Sequence, residues 1–435
     1  MKIKISILIC IMALVFACEK TVRWPWKSQN ITVFSGPIEI QTPSVIQTQD
    51  GEWLAVFSSQ TENSDVEGLI LMIRSKQLQG PWSEPDTIAQ TANLCQNPQM
   101  TQLKNGMIWV QFELGNITEN NAWNRLGTAY TRSYDYGQRF SVPRMIYVPE
   151  VQSWHGVHAI IETFGLWLLP MLYENPDSYD KPGLIFSHDE GETWSKVISI
   201  LPEDSKLKII NFSMEKVNDQ KLLILMELNY KDLLIQSYSR NRGMNWTEPK
   251  FTNIYGSQPA ILQSLTGTVY CLYQDDYPEG ASLMRSFDFG RTFEQETNIK
   301  LPSQSSFPCM LELETNQMVF FYTTNQGIFA KTQSMDQFTR PTGFSASADS
   351  FGVTLRWNPV KQASYYRIYR CLGADSLRDD MRFYDITTES SYQDSLIKSN
   401  TTYSYQITAV QGIGKLFSES GSESQPSHRT EATVP

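Results

Sequence analysis

The stretch SHDEGETW, Ser187 to Trp194, decides how the rest of the chain is read. Its spacing is Ser-x-Asp-x-Gly-x-Thr-Trp, and related copies stand at Ser133 (SYDYGQRF), Ser239 (SRNRGMNW) and Ser286 (SFDFGRTF), with remnants at Ser75 (SKQLQGPW) and Ser334 (SMDQF). In each full copy a hydroxyl and a carboxylate or amide can bond backbone N–H groups inside a tight reversal. The glycine can take the positive φ that such a reversal demands, and the last aromatic can pack between strands. None of this needs a substrate. Asp135, Asp189, Asn241 and Asp288 are therefore expected to tie turns rather than to act as acids.

Each copy follows a second signature. PSVIQTQDGEWLAVF begins at Pro43, PQMTQLKNGMIWVQF at Pro98 and PAILQSLTGTVYCLY at Pro259; weaker copies begin at His158, Phe212 and Pro308. Each is two β-runs around a turn, with Asp-Gly, Asn-Gly, Thr-Gly or Asn-Asp at several of the reversals. Successive anchors lie 55, 60, 54, 47 and 49 residues apart. About fifty residues suits one four-stranded blade, so residues 31–340 are expected to form an all-β, six-bladed β-propeller, with an open array of β-sandwich units as the alternative.

The two ends of the chain read differently. Lys2 and Lys4, the apolar run Ile5–Phe16 and then Ala17-Cys18 read as a cleavable leader over residues 1–17. A small residue followed by Cys at the end of such a run resembles a bacterial lipobox, which implies Cys18 as a lipidated first residue and 18–30 as a linker; an ordinary secretory signal is the alternative. The chain is then expected in a bacterial cell envelope, membrane-anchored through that lipid. Without Lys2 and Lys4 the formal charge goes from −10 to −12, which argues against a nucleic-acid partner. Cys95, Cys271, Cys309 and Cys371 show no metal-like spacing and read as isolated buried thiols, with a Cys271–Cys309 disulfide conceivable in an oxidising compartment. No motif calls for a cofactor or a metal. After Pro341 the text becomes PTGFSASADSFGVTLRWNPV and later TTYSYQITAVQG, alternating strands of a β-sandwich over 341–435 with Trp357 as its core tryptophan.

Residues 31–340 resemble the sialidase (neuraminidase) superfamily of Asp-box propellers, and 341–435 resemble a fibronectin type III domain, with Tyr403 in the position of a tyrosine corner. The Asp box is specific to the fold and much less so to an activity, because it also decorates non-catalytic propellers and lyases. The sialidase resemblance implies three arginines for a sugar carboxylate, a tyrosine nucleophile with a glutamate beside it, and an acid/base aspartate. Gln41 or Ile40 stands where the first arginine belongs, Asn211 and Ser257-Gln258 stand near the later ones, and Phe307-Pro308 stands where the tyrosine belongs; only Asp65 matches, as the acid/base.

Strand parity places the chemistry. In an up-and-down blade the Asp box lies in turn 3-4, away from the face where the innermost strands begin and where loops 2-3 emerge. On that face the expected ligand-binding residues are Gln41, Asn97, Trp154, His155, His158, Asn211 and Gln258, and the expected catalytic carboxylates, placed in loops 2-3, are Asp65, Glu113, Glu227 and Asp275. Glu67, Glu119, Glu174, Asp177 and Asp276 add charge there, against Arg125, Lys181 and Lys231. Amides, aromatics and carboxylates suit sugar hydroxyls and the apolar faces of sugar rings, while an anionic sugar would meet net repulsion.

The expected function is a glycoside hydrolase-like or lyase-like lipoprotein of non-sialic-acid specificity. A paired acid and base, or acid and nucleophile, would carry it, with His155 and His158 as a possible base, metal ligands or polar lining. The alternatives are a non-catalytic glycan-binding lipoprotein, an exo-α-sialidase with a departed site, and a protein interaction platform.

Overall fold

The computed structural model describes residues 28–36, 40–59, 68–118, 120, 122–151, 153–163, 165–174, 180–218, 221–264, 268–276, 279–286, 289–296, 301–302, 306–314, 317–335, 340–361, 363–373, 382–412, 421–424 and 426–435. The expected leader with Cys18 lies outside them, as do Asp65, Glu67, Glu119, Asp177 and Asp288. Among the described residues all the regular elements are strands.

Six antiparallel sheets follow one another. The first runs through Ile40–Gln47, Trp53–Ser59, Gly68–Ser75 and Asp86–Thr91, and the second through Leu94–Gln102, Ile108–Ile117, Trp123–Ser133 and Arg144–Met145. In the third, two short strands, Trp154–Gly156 and Ile161–Thr163, both pair with Leu166–Glu174, which is followed by Asp180–Ser187 and Ile198–Ser199. The fourth comprises Ile209–Asn218, Lys221–Leu228, Lys231–Ser239 and Lys250–Tyr255; the fifth Ser257–Gln263, Val269–Asp276, Glu279–Ser286 and Glu294–Glu296. The sixth takes Ser306–Glu314, Gln317–Thr324 and Gly327–Ser334 and completes itself with Gln29–Ser35 from the front of the chain.

The first strand of each sheet is the one that meets its neighbours: Ile40–Gln47 touches Leu94–Gln102, Ile209–Asn218 touches Ser257–Gln263, Ser257–Gln263 touches Ser306–Glu314, and Ser306–Glu314 returns to Ile40–Gln47. Each second strand is covered on both faces. Trp53–Ser59 and Lys221–Leu228 are buried at every position, which is why these strands read as continuous apolar runs rather than alternating ones.

The anchor prolines have a structural reason. The pairing of first and second strands slips between Gln41 and Ser44, Gln96 and Gln99, Ser257 and Ala260, and Ser306 and Cys309. The residues skipped are Thr42-Pro43, Asn97-Pro98, Gln258-Pro259 and Phe307-Pro308. Proline has no N–H to give a ladder and is tolerated at a bulge. Asn97 (φ 52) and Gln258 (φ 50) are left-handed there, a costly conformation for the residue before a proline.

The Asp boxes lie between third and fourth strands, at the opposite end of the sheets. Ser187 Oγ donates to Asp189 Oδ1 (2.8 Å) and accepts from the N–H groups of Asp189 (3.2 Å) and Gly191 (2.9 Å), while Asp189 Oδ1 accepts from Thr193 N (2.9 Å). Ser133/Asp135 and Ser239/Asn241 repeat the pattern, and Ser286 Oγ accepts from Gly290 N at 2.8 Å. Hydrogen bonds from Thr193 and Ser187 bring the Asp189 carboxyl down to about 2. Two successive residues are left-handed in each turn, such as Glu190 (φ 56) and Gly191 (φ 82).

The box also does more than tie a turn. A Cβ on Gly191 would lie 2.9 Å from Trp109 of the second sheet, one on Gly243 2.4 Å from Leu184 of the third, and one on Gly290 2.4 Å from Leu223 of the fourth. Each box thus seats its glycine against the preceding sheet. Around Gly191 the indole of Trp109 stacks on Tyr130 at 4.0 Å and meets Trp167 and Trp194 edge-on.

Residues 341–435 form a separate core between a three-stranded sheet (Ser345–Asp349, Gly352–Arg356, Ser391–Asp394) and a second sheet around Tyr365–Leu372 and Thr402–Gly412. Trp357 is 5% exposed in that core, and Tyr403 Oη accepts from Lys398 N at 3.0 Å. Asp394, wholly buried, accepts from Arg370, Tyr384 and Tyr405. The conceivable Cys271–Cys309 disulfide is not formed: none of the four described cysteines is in a disulfide, and Cys309 and Cys371 are only partly buried.

Candidate functional site

At the end of the sheets where the bulges lie, the second and third sheets bring one charged cluster together. Glu113, 3% exposed, accepts at Oε1 from Trp123 Nε1 (2.8 Å) and Arg125 Nε (3.0 Å), and at Oε2 from Asn97 Nδ2 (3.3 Å). Arg125 then crosses to the third sheet and grips Asp180 with Nη1 (3.1 Å) and Nη2 (3.2 Å). His155 is buried beside them, and its Nδ1 has no partner among the described residues.

The local sequence explains the assembly. Glu113 and Arg125 face each other across a hairpin in which Glu113 pairs with Thr128 and Gly115 with Arg125, a slip in register lying between. A Cβ on Gly115 would lie 2.3 Å from the Trp123 ring, so glycine gives the indole room to reach Glu113. The left-handed bulge at Asn97 turns its amide toward the same carboxylate.

Charge settles around this network. Burial by itself would raise the Glu113 carboxyl, but His155, the Trp123 hydrogen bond and Arg125 outweigh it and hold the group below its ordinary value. The His155 contribution requires a charged imidazole, and burial lowers that ring to about 4 against the opposing pull of Glu113. At neutral pH the indole and guanidinium are therefore what keep Glu113 ionised. Asp180 keeps Arg125 charged despite its burial.

A second arrangement lies across the fourth and fifth sheets. Glu227, 9% exposed, accepts the backbone N–H of Gln258 at Oε2 (2.8 Å). Asp275 Oδ2 accepts from Ser282 Oγ (3.0 Å), and burial with the nearby Asp275 charge pushes the Tyr273 phenol up to about 12. Asn211 turns its Oδ1 onto the N–H of Phe212 (2.8 Å). Glu215, on the same inner strand, has its carboxyl raised to about 8 by burial.

Several expectations need correction. Glu113, Glu227 and Asp275 are on second strands, not in loops, because the strands run on to Ile117, Leu228 and Asp276. Trp154, 3% exposed, belongs to the core between the second and third sheets and presents no face to a ligand. His158 is partly buried with Nδ1 against Ala159 O (2.9 Å), while its carbonyl accepts from Gln111 Nε2 (2.9 Å). Arg125 is held by Glu113 and Asp180; Lys181 donates to Glu203 O (2.6 Å), and Lys231 lies over Phe251 (4.6 Å). Gln41 pairs its backbone with Ser58 at the equivalent bulge of the first sheet. Among the described residues no three His, Cys, Asp or Glu side chains are grouped to hold a metal. Asp180, Trp123 and Glu215 were not singled out from the sequence; the Asp-Lys-Pro-Gly run around Asp180 carries no signal beyond a polar strand start.

The family of BNR repeat-like domains matches residues 51–405. Solved structures of similar fold include a protein of unknown function from Dyadobacter fermentans, 17% identical with a TM-score of 0.62, covering 72% of this chain and 100% of that one. A Hadza microbial sialidase is 16% identical (TM-score 0.54; 68% and 66% covered). An α-L-arabinanase from Penicillium chrysogenum, complexed with arabinobiose, is 13% identical (TM-score 0.55; 71% and 98% covered). Among curated proteins, a poly(3-hydroxybutyrate) depolymerase from Ralstonia pickettii is 36% identical over 95 residues, 22% of this chain and 16% of that relative, so the chain spans about a sixth of its length.

Proposed function

Because the chain belongs to the family of BNR repeat-like domains, we propose that it is a glycan-acting, six-bladed propeller of the sialidase type with a fibronectin type III-like domain behind it, and that its ligand is a neutral sugar. The observation that carries this reading is the commitment of Arg125 to Glu113 and Asp180 at 3.0 to 3.2 Å. A sugar carboxylate would have to displace two protein carboxylates from that guanidinium, whereas neutral hydroxyls can bond amides, carboxylates and the neutral His155 ring. The described neighbours of similar fold include proteins named for sialic acid and for arabinan chemistry, and the site chemistry favours the second kind of substrate.

For turnover, Glu113 is held ionised and fits a base or nucleophile, with Asp65 or Glu227 as the partner acid. The contrary reading, binding without turnover, draws support from Glu113 itself: both of its oxygens already accept hydrogen bonds from the protein. Residues 1–17 and Cys18 complete the proposal as a leader and lipid anchor for an envelope protein. Cys18→Ser should then release the protein from the membrane fraction, and its retention there would remove that part.

A panel of neutral and sialylated glycans, scored for binding and for product, tests the function alongside Glu113→Gln, Glu227→Gln and Asp65→Asn. Products that vanish in Glu113→Gln support turnover. Binding without product supports the contrary reading, and a preference for sialylated glycans overturns the neutral-sugar proposal.

A further inference from the structure

The fourth sheet carries an exposed aromatic rim beside the candidate site. Tyr230, Phe251 and Tyr255 are 57%, 54% and 66% exposed, more aromatic surface than a polar sheet edge needs to show to water. Tyr230 lies in the turn between Lys221–Leu228 and Lys231–Ser239; Tyr255 ends the fourth strand at that same end of the sheet. Two backbone ties hold the segments side by side: Leu233 pairs with Tyr255, and Gly256 N donates to Asp232 O at 2.5 Å.

Each tyrosine is three residues from one member of a bonded pair. Tyr230 follows Glu227, Tyr255 precedes Gln258, and Gln258 N donates to Glu227 Oε2 at 2.8 Å. Three residues span at most roughly 10 Å, so the backbones of both tyrosines lie within that reach of the Glu227–Gln258 contact at the inner-strand bulge. Lys231 lies over Phe251 at 4.6 Å and covers that ring with its own ammonium. The tyrosines are the rim's open aromatic faces.

We propose that Tyr230 and Tyr255 form an outer subsite that stacks one neutral sugar ring of an oligosaccharide whose chain continues from the Glu227–Gln258 contact. The inference rests on the glycan reading above and adds to it that the ligand is a chain rather than a single sugar. Aromatic faces take the C–H face of a neutral ring without a charged partner, and two such faces extend the site past its carboxylates.

The test is calorimetric binding of neutral di- and hexasaccharides from arabinan, xylan and galactan to the full chain. The variants are Tyr230→Ala/Tyr255→Ala and Tyr230→Phe/Tyr255→Phe, with thermal unfolding measured alongside. The alanine pair should lose about tenfold in affinity for the bound hexasaccharide and nothing for the disaccharide, and the phenylalanine pair should keep both. Unchanged hexasaccharide binding in the alanine pair overturns the subsite, as does equal loss at both lengths or loss in the phenylalanine pair. If the wild-type chain binds disaccharide and not hexasaccharide, the subsite fails while the glycan reading stands. If it binds no glycan at all, the glycan reading fails and the subsite with it.

Discussion

Arg125 grips Asp180 of the neighbouring sheet with both terminal nitrogens, at 3.1 and 3.2 Å, while its Nε holds Glu113 at 3.0 Å. A single guanidinium thus joins two sheets through two carboxylates, one of them almost wholly buried.

Removing the guanidinium should therefore cost more than losing a surface ion pair. Arg125→Met leaves Glu113 buried without its cation, and about 3 kcal/mol of stability should be lost in urea unfolding. Arg125→Met/Glu113→Gln should recover part of that loss, because the uncompensated charge is gone. Additive single losses would show that the pair is not coupled.

His155 gives the fold an acid limit. Its folded pKa is about 4 against an ordinary 6.5, so the unfolded chain takes up a proton below pH 6.5 that the native ring refuses until about pH 4. Stability is full above 6.5 and declines through that window, by about 3 kcal/mol at roughly 1.4 kcal/mol per pH unit. His155→Gln should flatten this part of the profile. A wild-type thermal midpoint that stays constant from pH 7 to pH 4.5 would contradict it.

Glu215 acts at the other end of the scale. Burial raises its carboxyl from 4.5 to about 8, so the native chain keeps a proton that the unfolded chain releases above pH 4.5. Its contribution is complete below 4.5 and is lost as the pH rises to about 8. Glu215→Gln, neutral throughout, should gain thermal stability relative to wild type at pH 8 over its difference at pH 5; no change between the two would count against a buried acid.

Two glycines separate backbone strain from packing. Gly51 (φ 89) and Gly191 (φ 82) are both left-handed, but a Cβ on Gly51 meets nothing within 4 Å while one on Gly191 meets Trp109 at 2.9 Å and Trp167 at 3.1 Å. Gly51→Ala should cost about 1 kcal/mol and Gly191→Ala about 3 kcal/mol. Equal losses would mean that the box glycines are chosen for their backbone alone.

The repeat was legible because hairpin turns, anchor prolines and boxes recur in the text with nearly fixed spacing. The bulges were not, since similarity between repeats marks equivalent residues without fixing register; Pro43 and Pro98 were visible as anchors, but not as residues skipped by the ladder. Glu113 was expected in a loop because a carboxylate within an apolar run reads as the end of a strand. Its burial depends on Arg125 and Asp180, and the second of these lies in another sheet. In the boxes the glycine was legible, but the left-handed residue before it was not, because Tyr136, Glu190, Arg242 and Phe289 share no chemistry.

Gln29–Ser35 is the earliest described strand, yet it pairs with Gly327–Ser334, Gln29 standing opposite Thr332. Synthesis runs from the amino end, so this strand waits for most of the chain to emerge before its partner exists, and until then its edge and that of the sixth sheet are both open to other strands. Completion of the sixth sheet is thus a late event in the life of each molecule. Removing residues 1–36 should leave the edge of Gly327–Ser334 open, whereas ending the chain at residue 326 should leave Gln29–Ser35 without its partner and open the edge of Gln317–Thr324 instead.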